Sequence, residues 1–202
     1  MMGNEGFFIA IEGIDGSGKT THSRRLVKWL SKHGLKSLYT REPTDSAIGR
    51  MLKKMARQKN VDSRIEALLF AADRLEHLNK VILPYVKKKY VVVSDRYVYS
   101  SLAYQTVAIG DPEWVVEINK FAHKPDLTIL LDVKPEIGLS RIKKRKTRFE
   151  KEDFLQKVRQ EYLRLAEKDG LKIIDASKNI EEVFYEIISI VQECLKDKLV
   201  NV

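Results

Sequence analysis

The chain of 202 residues contains one cysteine, four histidines and five prolines. A lone Cys194 excludes an intrachain disulfide and a cysteine-based zinc site. Its place in an apolar-periodic segment near the C-terminus predicts a small buried residue in a reducing setting. His22, His33, His77 and His123 show no metal-ligand spacing, and there is no H-E-x-x-H, no nucleophile elbow and no G-x-G-x-x-G in place. Zinc peptidase, serine hydrolase and Rossmann chemistry therefore have no motif to stand on. No apolar run approaches the ~20 residues of a membrane span. The opening MMGNEGFFIAIEG lacks the basic start and apolar length of a signal peptide, so a cytoplasmic protein with no membrane partner is expected. Acidic excess is missing too: 37 Lys and Arg face 28 Asp and Glu, a formal charge of +9. Such a balance suits a solvated basic surface, or a polyanion partner such as nucleotide phosphates or a nucleic-acid backbone.

What is present is an alternation of apolar runs and amphipathic segments. FFIAI (7–11), KSLYT (36–40), YVVVSD (90–95), PDLTILLDV (125–133) and LKIIDA (171–176) read as short buried strands. Helices are expected over 19–32, stopped by Gly34, and from a Ser46 cap to about 57. A long helix over 62–89 would open on a Ser63/Glu66 capping box and kink at Pro84. Further helices are expected over 96–105, 111–122, 135–146, 150–168 and 179–198. That order predicts an α/β fold: a five-stranded parallel sheet with helices on both faces, forming one domain over residues 1–202. Ligands of such sheets sit beyond the C-terminal strand ends. Gly13–Thr20, Arg41–Glu42, Asp95–Arg96 and Asp132 all fall there.

The segment Gly13, Ile14, Asp15, Gly16, Ser17, Gly18, Lys19, Thr20, followed by Thr21, fits G-x-x-x-x-G-K-[ST] without mismatch. Glycines let successive N–H groups converge on an anion, and the following helix adds its positive end. Lys19 suits the β- and γ-phosphates, and the Thr20 hydroxyl suits Mg²⁺. The motif and its strand-then-helix context point to bound ATP with Mg²⁺. Asp95 fits the magnesium shell, or else a helix cap. Arg96 offers bidentate contact to a phosphate. On a helix, Arg96, Ser100 and Tyr104 would share one face, with Ser101 and Gln105 alongside. Phe70 and Arg74, four apart, could stack on and hydrogen-bond a planar base, although Phe70 alone also reads as core. In the basic run 139–154, Arg141, Arg145 and Arg148 fall at i, i+4 and i+7. That run is either a solvated helix end or a lid, about 141–153, whose arginines neutralise the transferring phosphoryl group.

EGIDGSGKTT, TREP, LLFAADRLEH, SDRYVYSSLAYQ and PDLTILLDVKPEIGLSRIKKR occur in an order that resembles the thymidylate kinase family of P-loop nucleoside monophosphate kinases, from about Phe8 to Ala176. The resemblance implies phosphoryl transfer from ATP to dTMP with Mg²⁺, in a homodimer, with no nucleic acid as partner. It implies that Asp15 touches the sugar 3′-hydroxyl and that Phe70 stacks on thymine with Arg74 at the base edge. Arg96 would bind the acceptor phosphate, and Glu42, Pro43 (in a cis bond) and Arg50 would lie near it. Ser101 and Gln105 would lie near the base, Tyr104 against the sugar 2′ position, and Arg141 over the adenine. Two departures stand out. Gly16 occupies a position where some members carry a catalytic arginine, which shifts that role to Arg145 and Arg148. The loop after REP reads TDS rather than GGT, which opens the role of Thr44. Other readings of the motifs are a kinase for another small acceptor, or a nucleotide-dependent DNA-binding ATPase.

Overall fold

The computed structural model describes residues 6–58, 60–142, 149 and 151–199. Five strands, β1 (Phe7–Glu12), β2 (Ser37–Arg41), β3 (Val91–Asp95), β4 (Leu127–Asp132) and β5 (Lys172–Asp175), form one parallel sheet in the order β2-β3-β1-β4-β5. β1 is buried along its whole length because it lies at the centre. Its alternation separates two cores. Phe7, Ile9 and Ile11 point to one face, packing with Leu26 and Leu30 of α1 (Lys19–Lys32), while Phe8 and Ala10 join Leu78, Ile82 and Tyr97 on the other. Burying each large side chain contributes about 1.5–3 kcal/mol, so the hydrophobic term ties the helical layers to both faces.

The helices between the strands follow the expected pattern with five local differences. Ser46 caps α2 (Ala47–Met55) by accepting from the Gly49 N–H. The cap of α3 (Ser63–His77) is Asp62, which accepts from the Arg64 N–H, and not Ser63; a carboxylate one residue earlier wins the position. The expected long helix is interrupted by a π-helical turn, Leu78–Ile82, before α4 (Leu83–Lys87). Pro84 follows this turn as the second residue of α4, where its missing N–H cannot continue the i→i−4 ladder, and the Leu83 N–H bonds back to the Leu78 carbonyl instead. The helix expected from residue 96 begins two residues later as α5 (Val98–Ile109), because Arg96 holds a left-handed φ of 71°. α6 (Pro112–Ile118) follows its Asp111 cap but ends before the expected residue 122, at Asn119, whose side-chain amide donates to the Val115 carbonyl, and α7 (Pro135–Ser140) is shorter than the expected 135–146 segment. α8 (Glu152–Asp169) and α9 (Ile180–Leu199) complete the fold. Cys194 of α9 is exposed, against the expectation of burial; the helix turns Val191 and Leu195 to the core instead.

Candidate active site

The glycine-rich loop leaves β1 and enters α1 at the sheet's C-terminal edge. Gly13, Gly16 and Gly18 adopt φ of 142°, 80° and 93°, values that side chains resist. A Cβ on Gly16 would stand 2.0 Å from the carbonyl oxygen of Gly138 in α7. The absence of an arginine at position 16 thus has a steric reason: α7 packs directly against the loop. Ile14 is core, and its carbonyl accepts from Lys19 Nζ at 2.7 Å. Burial, and then the charge of Arg96, push the Lys19 ammonium down to about 8 against the pull of Asp15, Asp95 and Glu12. Thr20 Oγ1 donates to Asp95 Oδ2 at 2.5 Å, and Tyr39 Oη donates to the same oxygen at 3.3 Å.

This loop floors a cavity of about 710 Å³ whose far wall is Arg141, Ala176, Asn179, Ile180 and Val183. Arg141 caps α7 and donates to the Ala176 carbonyl at 2.9 Å, so it bridges α7 to the loop before α9. Thr21, exposed at the start of α1, and His22 also line this cavity.

A second cavity of about 260 Å³ shares Asp15, Glu42, Pro43, Lys53 and Arg96 with the first. Its remaining wall holds Phe70, Arg74, Ser100, Ser101, Tyr104 and Gln105. Ser101 Oγ, Gln105 Oε1 and Arg74 Nε are buried there with no hydrogen-bond partner among the described residues. Unpartnered buried polar atoms are costly, and a ligand bearing both donors and acceptors would satisfy them.

Arg96 sits where the cavities join. Its guanidinium donates to Asp15 Oδ1 at 2.5 Å, to Ser100 Oγ at 3.0 Å and to the Gly13 carbonyl at 3.3 Å. The sequence anticipated this meeting of Arg96, Ser100 and Tyr104, but a left-handed residue before the helix produces it, not a shared helical face. Burial works to raise the Asp15 carboxyl, yet Arg96 and Lys19 together hold it below the usual carboxylate range. Tyr104 Oη donates to Asp15 Oδ2 at 3.3 Å and accepts from the Asp15 N–H at 3.2 Å.

Several expected residues stand elsewhere or do other work. Arg74 is almost fully buried; it donates to Glu42 Oε2 at 2.8 Å and to Asn119 Oδ1 at 2.5 Å. Glu42 also lies 3.1 Å from His77 Nδ1, so its carboxylate is engaged by α3. The Glu42–Pro43 bond is cis. Arg50 lines neither cavity: its guanidinium donates to the Asp45 carbonyl at 2.6 Å and borders a third, more open hollow. Lys53, one helical turn on, lines both cavities instead. Asp132 is closed off by a two-point ion pair with Arg159, both contacts at 2.7 Å. Arg145 and Arg148, and most of the expected lid, lie outside the described residues.

Sequence reasoning missed Asp73 and Phe149. Asp73 accepts from the Thr44 N–H at 2.8 Å, from Thr44 Oγ1 at 2.5 Å and from Ser46 Oγ at 3.0 Å, which is how a TDS loop is held in place. The paired hydroxyls of Thr44 and Ser46 were the readable signal. Phe149 packs edge-on against Tyr104, with ring centroids 5.9 Å apart, and closes one side of the smaller cavity. Among the described residues no cluster of His, Cys, Asp and Glu could alone hold a metal, and no helix is long and apolar enough to cross a membrane.

A phosphate-cradling loop at the switch point of a parallel sheet, opening onto a second, more apolar cavity, defines a P-loop nucleotide-binding protein with room for a second ligand. The thymidylate kinase family model matches residues 11–187, and the chain belongs to that family. It is 46% identical to a probable thymidylate kinase of Staphylothermus marinus, over 96% of this chain and 99% of that one. It is 46% identical to one of Pyrococcus horikoshii, over 93% and 96%. It is 47% identical to one of Methanocaldococcus jannaschii, over 91% and 95%.

Proposed function

We propose that this protein is a dTMP kinase: it transfers the γ-phosphoryl group of ATP to dTMP, giving dTDP and ADP. The observation that carries the reading is the joining of the two cavities at Asp15 and Arg96. The family membership and the names of the relatives support the substrate. ATP would lie in the larger cavity with its phosphates on the Gly13–Thr20 loop and its base toward Arg141. The monophosphate would lie in the smaller one, its pyrimidine between Phe70 and the Ser101–Gln105 face and its phosphate at Arg96.

An acceptor phosphate oxygen attacks the γ-phosphorus in line, its bond to ADP breaks, and no covalent enzyme intermediate is needed. The protein supplies position and charge. Lys19 and the loop amides hold the donor phosphates, and Arg96 holds the acceptor. Asp15 orients Arg96 and, with Tyr104, stands on the sugar side of the acceptor. Lys53 is better placed than Arg50 to reach the acceptor phosphate. The lid role of Arg145 and Arg148 is supported by their spacing with Arg141 in the basic run and by the family resemblance. Mg²⁺ would supply charge neutralisation between the donor phosphates. Thr20 Oγ1 and Asp95 Oδ2, both hard oxygen donors at the loop's end, fit it, directly or through water.

We also read the whole chain as one kinase domain, since one sheet runs from Phe7 to Asp175. The homodimer is supported by Ile65 and Leu68, exposed three residues apart on α3; light scattering at the mass of a single chain would remove it. The function itself is tested by coupled ADP release across nucleoside monophosphates. dTMP should be the fastest acceptor, and Arg96→Ala should lose roughly 10²-fold or more in rate. Faster turnover of AMP or CMP would sink the substrate assignment, and a near-normal Arg96→Ala would sink the acceptor site.

A further inference from the structure

Glu12 ends β1 one residue before the phosphate loop, and its side chain is completely buried. A carboxylate in that position needs several donors, and it has four. Oε1 accepts from the Tyr97 N–H at 2.8 Å and the Ser100 N–H at 3.2 Å. Oε2 accepts from Ser100 Oγ at 2.7 Å and from Tyr162 Oη at 3.0 Å.

Two of these donors are backbone amides at the start of α5, whose N-cap residue, Tyr97, gives no side-chain cap of its own. Glu12 therefore caps α5 from the end of the neighbouring strand. The residue just before this turn is Arg96, one of two residues other than glycine with positive φ among those described. A left-handed arginine persists only where its surroundings over-determine it. Here they do: the Arg96 N–H donates to the Ile11 carbonyl at 3.0 Å, Ser94 Oγ donates to the Arg96 carbonyl at 2.7 Å, and Glu12 grips the next amide. The guanidinium is gripped as well. Ser100 Oγ spends its one proton on Glu12 and accepts from Arg96 Nη1 at 3.0 Å. Tyr162 comes from a third element, α8, and is 1% exposed.

We propose that Glu12 is a positioning residue for the reaction. Through the Tyr97 amide it fixes the backbone turn of Arg96, and through Ser100 it fixes the guanidinium between the two cavities, with Tyr162 locking the carboxylate from α8. The inference rests on the reading of Arg96 as the acceptor-phosphate group. Neither Glu12 nor Tyr162 lines a ligand cavity, so any effect on a substrate must travel through the wall residues they hold: Arg96, Ser100 and, beside Tyr162, Tyr104.

The test uses Tyr162→Phe and Glu12→Gln in the full chain, with kcat, the KM for each substrate and Tm measured together. Tyr162→Phe removes one hydroxyl without touching either cavity. It should raise the KM for dTMP by on the order of 10-fold, with the KM for ATP within about twofold. Glu12→Gln turns one acceptor oxygen into a donor and should cost roughly 10²-fold in kcat/KM for dTMP. A lowered Tm with both KM values unchanged, or both KM values rising together, overturns the proposal. If Glu12→Gln does not fold, Tyr162→Phe decides alone. Should the wild type prefer a different monophosphate, the substrate assignment fails, and the same comparison on the preferred acceptor still decides the role of Glu12. A crystal structure of Tyr162→Phe with Arg96 undisturbed against Asp15 would also count against it.

Discussion

At Lys19 the site carries a titratable handle. With no phosphate bound, burial and the neighbouring Arg96 bring the ammonium down to about 8. The charged form is the one that binds a triphosphate, and the triphosphate in turn stabilises that form. ATP affinity should therefore be flat below pH 8 and weaken above it, approaching tenfold per pH unit. Calorimetry at pH 8.5 in buffers of different ionisation enthalpy should show proton uptake on binding; none would mean that Lys19 is already fully charged in the free protein. Arg74 carries a different lesson. An arginine four residues after a phenylalanine reads as a base-contacting group, and its Nε does remain without a partner. Yet the rest of its guanidinium is committed to Glu42, Asn119 and the Tyr97 carbonyl. It braces the cavity wall as well as facing the cavity.

Among the elements, the contact between the phosphate loop and α7 governs how much side chain the loop can carry. Gly16 has no room for a Cβ because the Gly138 carbonyl would lie 2.0 Å away, and a Cβ on Gly138 would stand 2.6 Å from the Asp15 carbonyl. Both nearest atoms are backbone, which yields little. Gly138→Ala should push the loop off its position and raise the KM for ATP about 10-fold or more. Steady-state kinetics checks this, and an unchanged KM would show that α7 shifts instead. Local signals read most of the elements correctly, because short apolar runs, Gly34 and Ser46 act within a turn of the chain. They failed at Ser63, where Asp62 is the cap, and at Arg96, where the helix starts late. In the second case the deciding group, Glu12, bonds the Tyr97 amide from 85 residues away in the sequence.

For the molecule as a whole, pH links the donor site to stability. His22 is held under the loop, with its ring centroid 6.2 Å from that of Phe184. Burial, and then the charge of Arg25, push it down to about 4 from 6.5. The unfolded chain takes up a proton near 6.5 that the folded one refuses. Stability is therefore lost as pH falls from about 6.5 to about 4, and the loss levels off below. His22→Gln removes this component, so its Tm should fall less than the wild type's between pH 6.5 and 4. Parallel declines would show that carboxylates alone drive the acid transition. The +9 charge belongs to the same scale: it favours the approach of anionic nucleotides at a distance, and salt should weaken that attraction.

By itself the sequence determined the strands and the phosphate loop, because periodicity and the G-x-x-x-x-G-K-T spacing act through neighbouring residues, and it pointed to the family through the resemblance of several motifs in order. It also singled out Phe70, Arg96 and Tyr104, which the structure places around the second cavity. The tertiary structure alone decided that Lys53 and not Arg50 borders the cavities, that Asp132 is spent on Arg159, and that Asp73 holds the Thr44–Ser46 loop. It also decided that a buried Glu12 sets the conformation of Arg96. The last three are hydrogen bonds and ion pairs between segments far apart in the chain, and which donor meets which acceptor is fixed only once the sheet has brought the strand ends together.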